Sequence, residues 1–464
     1  MTQKSKDGHL GGEKQRAKFS STLGYVLAVA GSAVGLGNIW RFPYLAAKYG
    51  GGMFLLVYLL LVLTFGFTLI VAETALGRKT KKSPVGAFHF FGKTLSFRFG
   101  GWMNAVIPML IVPYYCVIGG WVAKYLFEYL TGNSSGLAED GYFTEFIQNS
   151  PSVELWFVVF ALIVYLVVTA GVKHGVEMVS KIMMPILILL AIFVAGYSIT
   201  RPGAMEGVKY LLIPNLKNFS WMTIVAAMGQ MFYSLSIAMG ILYTYGSYLE
   251  EDADIEKSTK QLEIFDTAIA LLAGLMIIPA VFAFSGGNPE TLQSGPSLMF
   301  ITIPKVFESM GFGQVVGFVF FLMVLFAALT SAISLMETSV STLADELGWK
   351  RSVCSIFMFG IVLILGSFSA LGFGVWDYIK ILGMSVLDFM DFLTNSVMMP
   401  IAAFCTCILV VRVIGCKAVV KEVKRSSAFK REKLFVFVMK YLVPVCLAVI
   451  LLSSVANVFG WIKM

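Results

Sequence analysis

Charge is what this chain most lacks. Asp, Glu, Lys and Arg make up 13% of its 464 residues, against about 25% in a soluble domain. Hydrophobic residues make up 58%, and mean hydropathy is +0.82. An ordinary soluble globular fold is excluded. Cysteine is also scarce. The six (Cys116, Cys354, Cys405, Cys407, Cys416 and Cys446) lie mostly in apolar runs, without CxxC or zinc spacing. Buried thiols with no redox or metal role are expected. HExxH, GxSxG and paired catalytic aspartates are missing, so nothing points to an enzyme. No nucleotide-binding loop supports ATP-driven transport, no repeated polar stripe supports a channel pore, and no nucleic-acid partner is expected. The N-terminal MTQKSKDGHLGGEKQRAKF is polar and basic. It lacks an apolar core followed by a cleavage site, so it is not expected to be a cleavable signal peptide.

What the chain has is apolar runs of about 20 residues, the length of a membrane-spanning helix. Eleven helices are predicted, at 22–47, 53–77, 102–131, 153–172, 177–200, 221–248, 262–285, 313–345, 352–371, 380–412 and 434–462. Basic clusters occupy alternate connections: Lys4–Lys18, Arg78–Lys82, Lys173, Lys257 with Lys260, Lys350 with Arg351, and Arg412–Lys433. Positive charge marks the cytoplasmic side. The expected product is an all-α polytopic protein of the cell membrane, N-terminus cytoplasmic and C-terminus extracellular, with the lipid bilayer as its surroundings. Four regions are expected: a cytoplasmic segment 1–19, five helices in 20–200, five more in 201–412, and a basic loop with helix eleven in 413–464. The outer loop 286–312 is either a re-entrant lid or a packed surface loop.

The stretch Gly31 to Pro43 (GSAVGLGNIWRFP) interrupts the first span. Each glycine costs a helix interior roughly 1 kcal/mol relative to alanine. Unpaired backbone groups in hydrocarbon cost several kcal/mol, so broken backbone survives only where it lines a cavity or coordinates something. Packing on small residues would account for Gly31 and Gly35, but not for Gly37, Asn38 and Arg41. A second interruption, Gln230 to Gly240 (QMFYSLSIAMG), falls in the sixth span. Breaks at matching places in two five-helix halves point to an inverted-repeat transporter with its site between the halves. Asp266 in the seventh span is an intramembrane acid with no cation near it in sequence, which marks it as functional. Thr330 and Ser331 in the eighth either bond back to their own helix or act as ligands.

At these residues the sequence resembles the neurotransmitter:sodium symporter family, in particular its bacterial amino-acid members. The resemblance rests on GSAVGLGNIWRFPYLAAKYGGGMF, then ETALGR at 73–78, PYYCVIGGW at 113–121, GQMFYSLSIAMG at 229–240, AALTSAISLMETS at 327–339 and FMDFL at 389–393. It implies a LeuT-like inverted repeat, helices one to five and six to ten, plus a peripheral eleventh helix. It also implies sodium-coupled import of a neutral hydrophobic or aromatic L-amino acid, by a monomer or weak dimer. Two sodium ions are implied, a hard cation that prefers oxygen ligands. The first would meet the Ala33 carbonyl, Asn38, Ser234 and Asp266. The second would meet the carbonyls of Gly31, Val34 and Ala327, with Thr330 and Ser331. Many members carry Asn where Asp266 stands and require chloride, so chloride-independent transport is expected here.

The substrate carboxylate would meet the N–H groups of Leu36 and Gly37, at the positive end of a half-helix, and the Tyr115 hydroxyl. Gly35 leaves room for it, where amine transporters carry an acid. By the same resemblance the side-chain pocket comprises Ile111, Tyr115, Tyr233, Ser236, Ala238, Met239, Ser334 and Leu335, although Met239 and Leu335 also suit plain packing. Ala238, where glycine is common, would trim the pocket. An outer gate pairs Arg41 with Asp391 or Asp388 under a lid of Phe42, Tyr115 and Tyr233. An inner latch pairs Arg16 with Asp345, with Phe19 in place of a commoner Trp; a solvated topology charge also accounts for Arg16. Glu73 would brace the broken first helix. Gly175 and Pro185 would let helix five unwind, or simply mark a loop end and a kink. A receptor that binds amino acids without moving them stays open.

Overall fold

The computed structural model describes residues 16–286 and 295–458. In chain order the membrane helices are α1 (Thr22–Ala33), α2 (Gly37–Lys48), α3 (Gly52–Thr80), α4 (Leu95–Thr131), α5 (Ser150–Thr169), α6 (Val172–Ile199), α7 (Trp221–Ser234), α8 (Ile241–Ser247), α9 (Ile255–Ser285), α10 (Gly313–Leu347), α11 (Arg351–Leu371), α12 (Val386–Val413) and α13 (Glu432–Ser453). Nine of these are unbroken and apolar enough to cross a bilayer, and α1 with α2 forms a tenth span bent by 54°. We count α7 with α8, which share one apolar stretch interrupted at 235–240, as the eleventh. The described residues are thus all-α, with the first and sixth spans broken, as the glycines and polar residues there predict.

Several helices outrun their apolar stretch. The seventh begins at Ile255 rather than 262, because the Asp254 side chain caps it by accepting from the Lys257 N–H (2.9 Å). Its Lys257, Lys260 and Glu263 fall within the first two and a half turns, ahead of the apolar stretch. The third begins at Leu95 rather than 102. The tenth begins later than 380, at Val386. Residues 381–384 make a tight turn instead, with an Ile381–Met384 bridge and positive φ at Leu382 and Gly383.

Helices α4 and α10 form the centre, whereas α5, α6, α11 and α13 are mostly uncovered. Their exposed leucines and isoleucines, such as Leu162, Leu189, Ile364 and Leu452, face outward, as a lipid-facing surface requires. The later half of the second broken span, α8, lies directly on α3. A Cβ added to Gly77 would stand 2.1 Å from the Tyr243 carbonyl oxygen, and one on Gly246 would stand 2.5 Å from that of Thr74. Only glycine lets these two backbones touch. In the outer loop, Leu298–Thr302 and Ile303–Glu308 are helical. Phe300 is buried there against Trp40, Trp121, Tyr125 and Phe143. This half of 286–312 is a packed cover over the first broken span; 287–294 lie outside the described residues.

Candidate functional site

The two breaks face each other. Helix α1 ends at Val34 (φ −77°, ψ 85°), so the carbonyls of its last turn lose helical partners. Those carbonyls are met from outside. Ser236 Oγ donates to the Ser32 carbonyl (3.1 Å), and Ser331 Oγ donates to those of Gly31 (3.2 Å) and Ser32 (3.1 Å). Across the gap Gln230 Nε2 donates to the Gly37 carbonyl (3.0 Å). In the second break Ser236, Ala238 and Gly240 all have positive φ (54°, 58° and 70°). For Ser and Ala this left-handed backbone costs about 1–2 kcal/mol each. Part of that is offset locally. The Ala238 N–H donates to both Glu73 carboxylate oxygens (3.1 and 3.3 Å).

That bond corrects two expectations. Glu73 braces the sixth span, not the first; it is the neighbouring Thr74 that touches α1, through the Tyr25 hydroxyl (3.2 Å). Ala238 is an anchoring point of strained backbone and does not line the cavity, so it does not trim the pocket. Glycine is the residue that this φ favours.

Asn38, Ser234 and Asp266 come together as the sequence suggests. Asn38 Nδ2 donates to Asp266 Oδ1 (2.8 Å). Tyr58, on α3, donates to Asp266 Oδ2 (2.6 Å), and its hydroxyl lies 2.9 Å from Ser234 Oγ. All four side chains are buried. Asn38 Oδ1 is buried with no hydrogen-bond partner. A buried acceptor beside a buried carboxylate suits a cation that takes oxygen ligands, since an unmet buried polar group otherwise costs about 1–3 kcal/mol. Tyr58 was missed from sequence. Its signal was a lone hydroxyl in the run LLVYLLLV.

Around the second expected ion site the two hydroxyls differ. Thr330 bonds back to its own helix, donating to the carbonyls of Phe326 (3.0 Å) and Ala327 (3.2 Å), while Ser331 reaches across to α1. Donation uses the hydroxyl proton and leaves oxygen lone pairs free, so both remain competent toward a cation. Thr330 also lies against Gly31, where an added Cβ would be 3.0 Å from its own Cβ.

Ala33, Gly35, Leu36, Gly37, Ile111, Tyr115, Tyr233, Ser234, Ser236, Met239 and Leu335 line one cavity, joined by Ser32, Asn38, Ile241 and Ser331. At one wall the Leu36 N–H donates to the Tyr115 hydroxyl (3.2 Å). Ser334 is not a wall. Its hydroxyl accepts from Tyr245 (2.9 Å) and donates to the Thr330 carbonyl (2.9 Å). The cavity is narrow, about 30 Å³. An amino acid with a large side chain enters only after the walls part.

The end of the bundle that holds Arg16 is closed. Arg16 Nη1 is 2.5 Å from Asp345 Oδ1, and the guanidinium also donates to Ser247 and Ser341 and lies over the Tyr248 ring. Asp345 additionally accepts from the Ser83 N–H (2.9 Å). Phe19 is buried edge-on among Tyr25, Tyr245 and Tyr248, so it docks despite its smaller ring. Replacing Arg16 with Ala should remove about 1.5–3 kcal/mol of charge-assisted hydrogen bonding. Amide exchange across 20–33 should then rise by roughly ten- to a hundredfold in hydrogen-exchange mass spectrometry. Unchanged exchange would make Arg16 a solvated topology charge.

On the other side of the cavity Arg41 lies over the Tyr233 ring (5.2 Å) and makes no direct ion pair with Asp391. Asp391 instead accepts from Tyr114 (3.2 Å) and Asn395 (2.6 Å), within electrostatic reach of Arg41. Asp388 is taken up by the Ser385 hydroxyl (2.7 Å) at a helix start, which leaves Asp391 as the partner candidate. Phe42 is not part of a lid. It packs away from the cavity against Phe54 and Tyr58, because the register of α2 points it at α3. Gly175 sits in a widened turn, 172–177, that opens α6, and Pro185 lies inside the same helix. An added Cβ on Gly175 would meet the Val167 carbonyl at 2.0 Å. Beside it, the Glu177 carboxylate accepts from the Ser20 backbone N–H (2.8 Å), a tie that sequence reasoning did not find.

The chain is similar to known proteins over nearly its whole length. The family model described as "Sodium:neurotransmitter symporter family" matches residues 16–138 and 141–461. The "Uncharacterized sodium-dependent transporter YhdH" of Bacillus subtilis is 34% identical over 96% of this chain and 98% of its own length. The human "Sodium- and chloride-dependent GABA transporter 2" is 28% identical over 74% of this chain and 64% of its own. Among solved structures, "MhsT in complex with L-phenylalanine" superposes with a TM-score of 0.85 at 35% identity, covering 95% of this chain and all of that one.

Proposed function

Because this chain belongs to the sodium:neurotransmitter symporter family, whose members are secondary transporters and not enzymes, we propose that it imports a neutral, hydrophobic L-amino acid together with sodium. The observation that carries this reading is one junction. The Asn38–Asp266–Tyr58 cluster and the Leu36–Tyr115 corner border the same small cavity between two broken helices. An amino acid's carboxylate placed at that corner would face the Leu36 and Gly37 N–H groups and share the first sodium ion with Asn38 and Asp266. Substrate and ion would then bind together, which is the coupling that a symporter needs.

The cavity's side-chain end, with Ile111, Met239 and Leu335, carries no charge. An acidic or basic side chain would be buried unpaired there, at prohibitive cost. The L-phenylalanine held by the solved relative supports the same class. Two sodium sites are proposed, the second among Gly31, Val34, Ala327, Thr330 and Ser331. Among the described residues no group of three or more His, Cys, Asp or Glu comes together, so carbonyls and hydroxyls would supply most ligands. The Asp266 carboxylate provides the fixed negative charge beside the first ion, which makes chloride unnecessary. With Arg16, Lys18 and the other basic loops inside, the N-terminus is cytoplasmic and the C-terminus extracellular.

In proteoliposomes, inward sodium gradients should drive accumulation of labelled phenylalanine, leucine or a similar amino acid. Potassium should not replace sodium, and gluconate should replace chloride without loss. Sodium-dependent binding with no accumulation would instead make the chain a receptor.

A further inference from the structure

A second cavity of about 810 Å³ opens between α3, α9 and the segment before α13, at the start of α9, a few residues after Ser247, which accepts from Arg16. Its two ends differ in chemistry. Leu59, Leu63 and Ile264 line one end, and Leu63 and Ile264 are exposed. Lys257, Lys260 and Lys430 line the other. On α9, Lys257, Lys260 and Ile264 share one face at helical spacing, so charge passes into apolar surface along a single stripe.

The acids that line the same cavity, Asp254, Glu256 and Glu263, have other partners. Glu263 pairs with Arg431 (2.9 Å). Glu256 accepts from the Lys430 and Arg431 N–H groups (2.7 and 3.0 Å) and lies 3.7 Å from the Arg431 guanidinium. Asp254 caps α9. Arg431 is held further over the Phe67 ring at 3.6 Å. The three lysine ammoniums form no ion pair among the described residues. Four cations (Lys257, Lys260, Lys430 and Arg431) and three carboxylates (Asp254, Glu256 and Glu263) line the groove, so it is positive by one charge, with the carboxylates held on Arg431 and backbone N–H groups and bare hydrocarbon beyond.

We propose that this groove is a binding site for one anionic phospholipid, its phosphate on Lys257, Lys260 and Lys430 and an acyl chain along Leu59, Leu63 and Ile264. Basic clusters at the end of a membrane helix attract anionic lipid, by roughly fivefold in affinity for each Lys or Arg. The apolar half adds what a soluble anion could not use. The lipid bridges α9, which carries Asp266, to the connection that leads into α13.

Native mass spectrometry of the full chain, titrated with phosphatidylglycerol or phosphatidylcholine, tests this. One phosphatidylglycerol should be retained preferentially. Replacing all three lysines with Gln should lower that preference about a hundredfold. The substitution Ile264→Trp, which fills the apolar half without changing charge, should lower retention of both lipids at this site. Lys93→Gln with Arg98→Gln, at a different basic surface, should change nothing. Equal retention of both lipids by the native chain, or unaltered preference in the triple variant, overturns the proposal. So does competition by glycerol phosphate together with full retention in Ile264→Trp, which would make it a plain anion site.

Discussion

Replacing Asp266 with Asn should abolish most sodium-driven uptake while leaving the fold intact. Asp266 is buried with no cation beside it and is held by two donors, Asn38 Nδ2 and the Tyr58 hydroxyl. An amide keeps one acceptor but turns its NH₂ toward one of those donors, so a hydrogen bond becomes a donor–donor clash. It also removes the negative charge proposed to face the first sodium ion. Unit charges 4 Å apart at an effective dielectric constant of 20 interact by about 4 kcal/mol, roughly a thousandfold in affinity. Sodium titration of amino-acid binding by scintillation proximity should shift by at least about a hundredfold. Tyr58→Phe, which removes one donor and keeps the charge, should shift it by about tenfold. A sodium titration of Asp266→Asn that overlays the parent's would end the assignment of Asp266 to an ion site.

The second large effect is expected from a single methyl group. In Gly35→Ala the new Cβ would stand 2.8 Å from Ser331 Oγ and 2.9 Å from the Tyr115 hydroxyl. Both are closer than real Cβ contacts allow, and both partners are committed. Tyr115 accepts from the Leu36 N–H, and Ser331 ties α10 to α1. Overpacking of this kind costs about 1–3 kcal/mol, and here it falls on the proposed carboxylate corner and the second proposed ion site at once. Amino-acid affinity should fall roughly a hundredfold, read by the same binding assay, with the unfolding temperature lowered by a few degrees at most. Gly229→Ala is the control, since its Cβ would meet only Arg41 at 3.8 Å. If Gly35→Ala bound as well as Gly229→Ala, the carboxylate corner would have to lie elsewhere.

Much of the architecture was legible before any coordinates. Apolar runs of about 20 residues report the thickness of hydrocarbon, and glycines beside Asn38 and Arg41 report backbone that a plain helix cannot use. These signals are local and chemical, so they survive without knowledge of neighbours. Asp266 was legible for the same reason, because an unpaired acid in a membrane helix is costly wherever it points.

Partner choice was not legible, because it depends on how each helix is turned about its axis. Glu73 was certain to be buried, yet only the packing of α3 against α8 at Gly77 and Gly246 decided that it would hold the Ala238 N–H. The same rotation sends Phe42 to Phe54 and Tyr58 instead of the cavity, and brings Tyr58 to Asp266. It separates Thr330, bonded to its own helix, from Ser331, bonded across to α1, though the two are adjacent in sequence. The sequence alone therefore determined that two spans must break and that oxygen-rich groups lie in them. Tertiary structure decided which groups meet, since a hydrogen bond is lost within an ångström and a few tens of degrees, far finer than hydrophobic periodicity can specify.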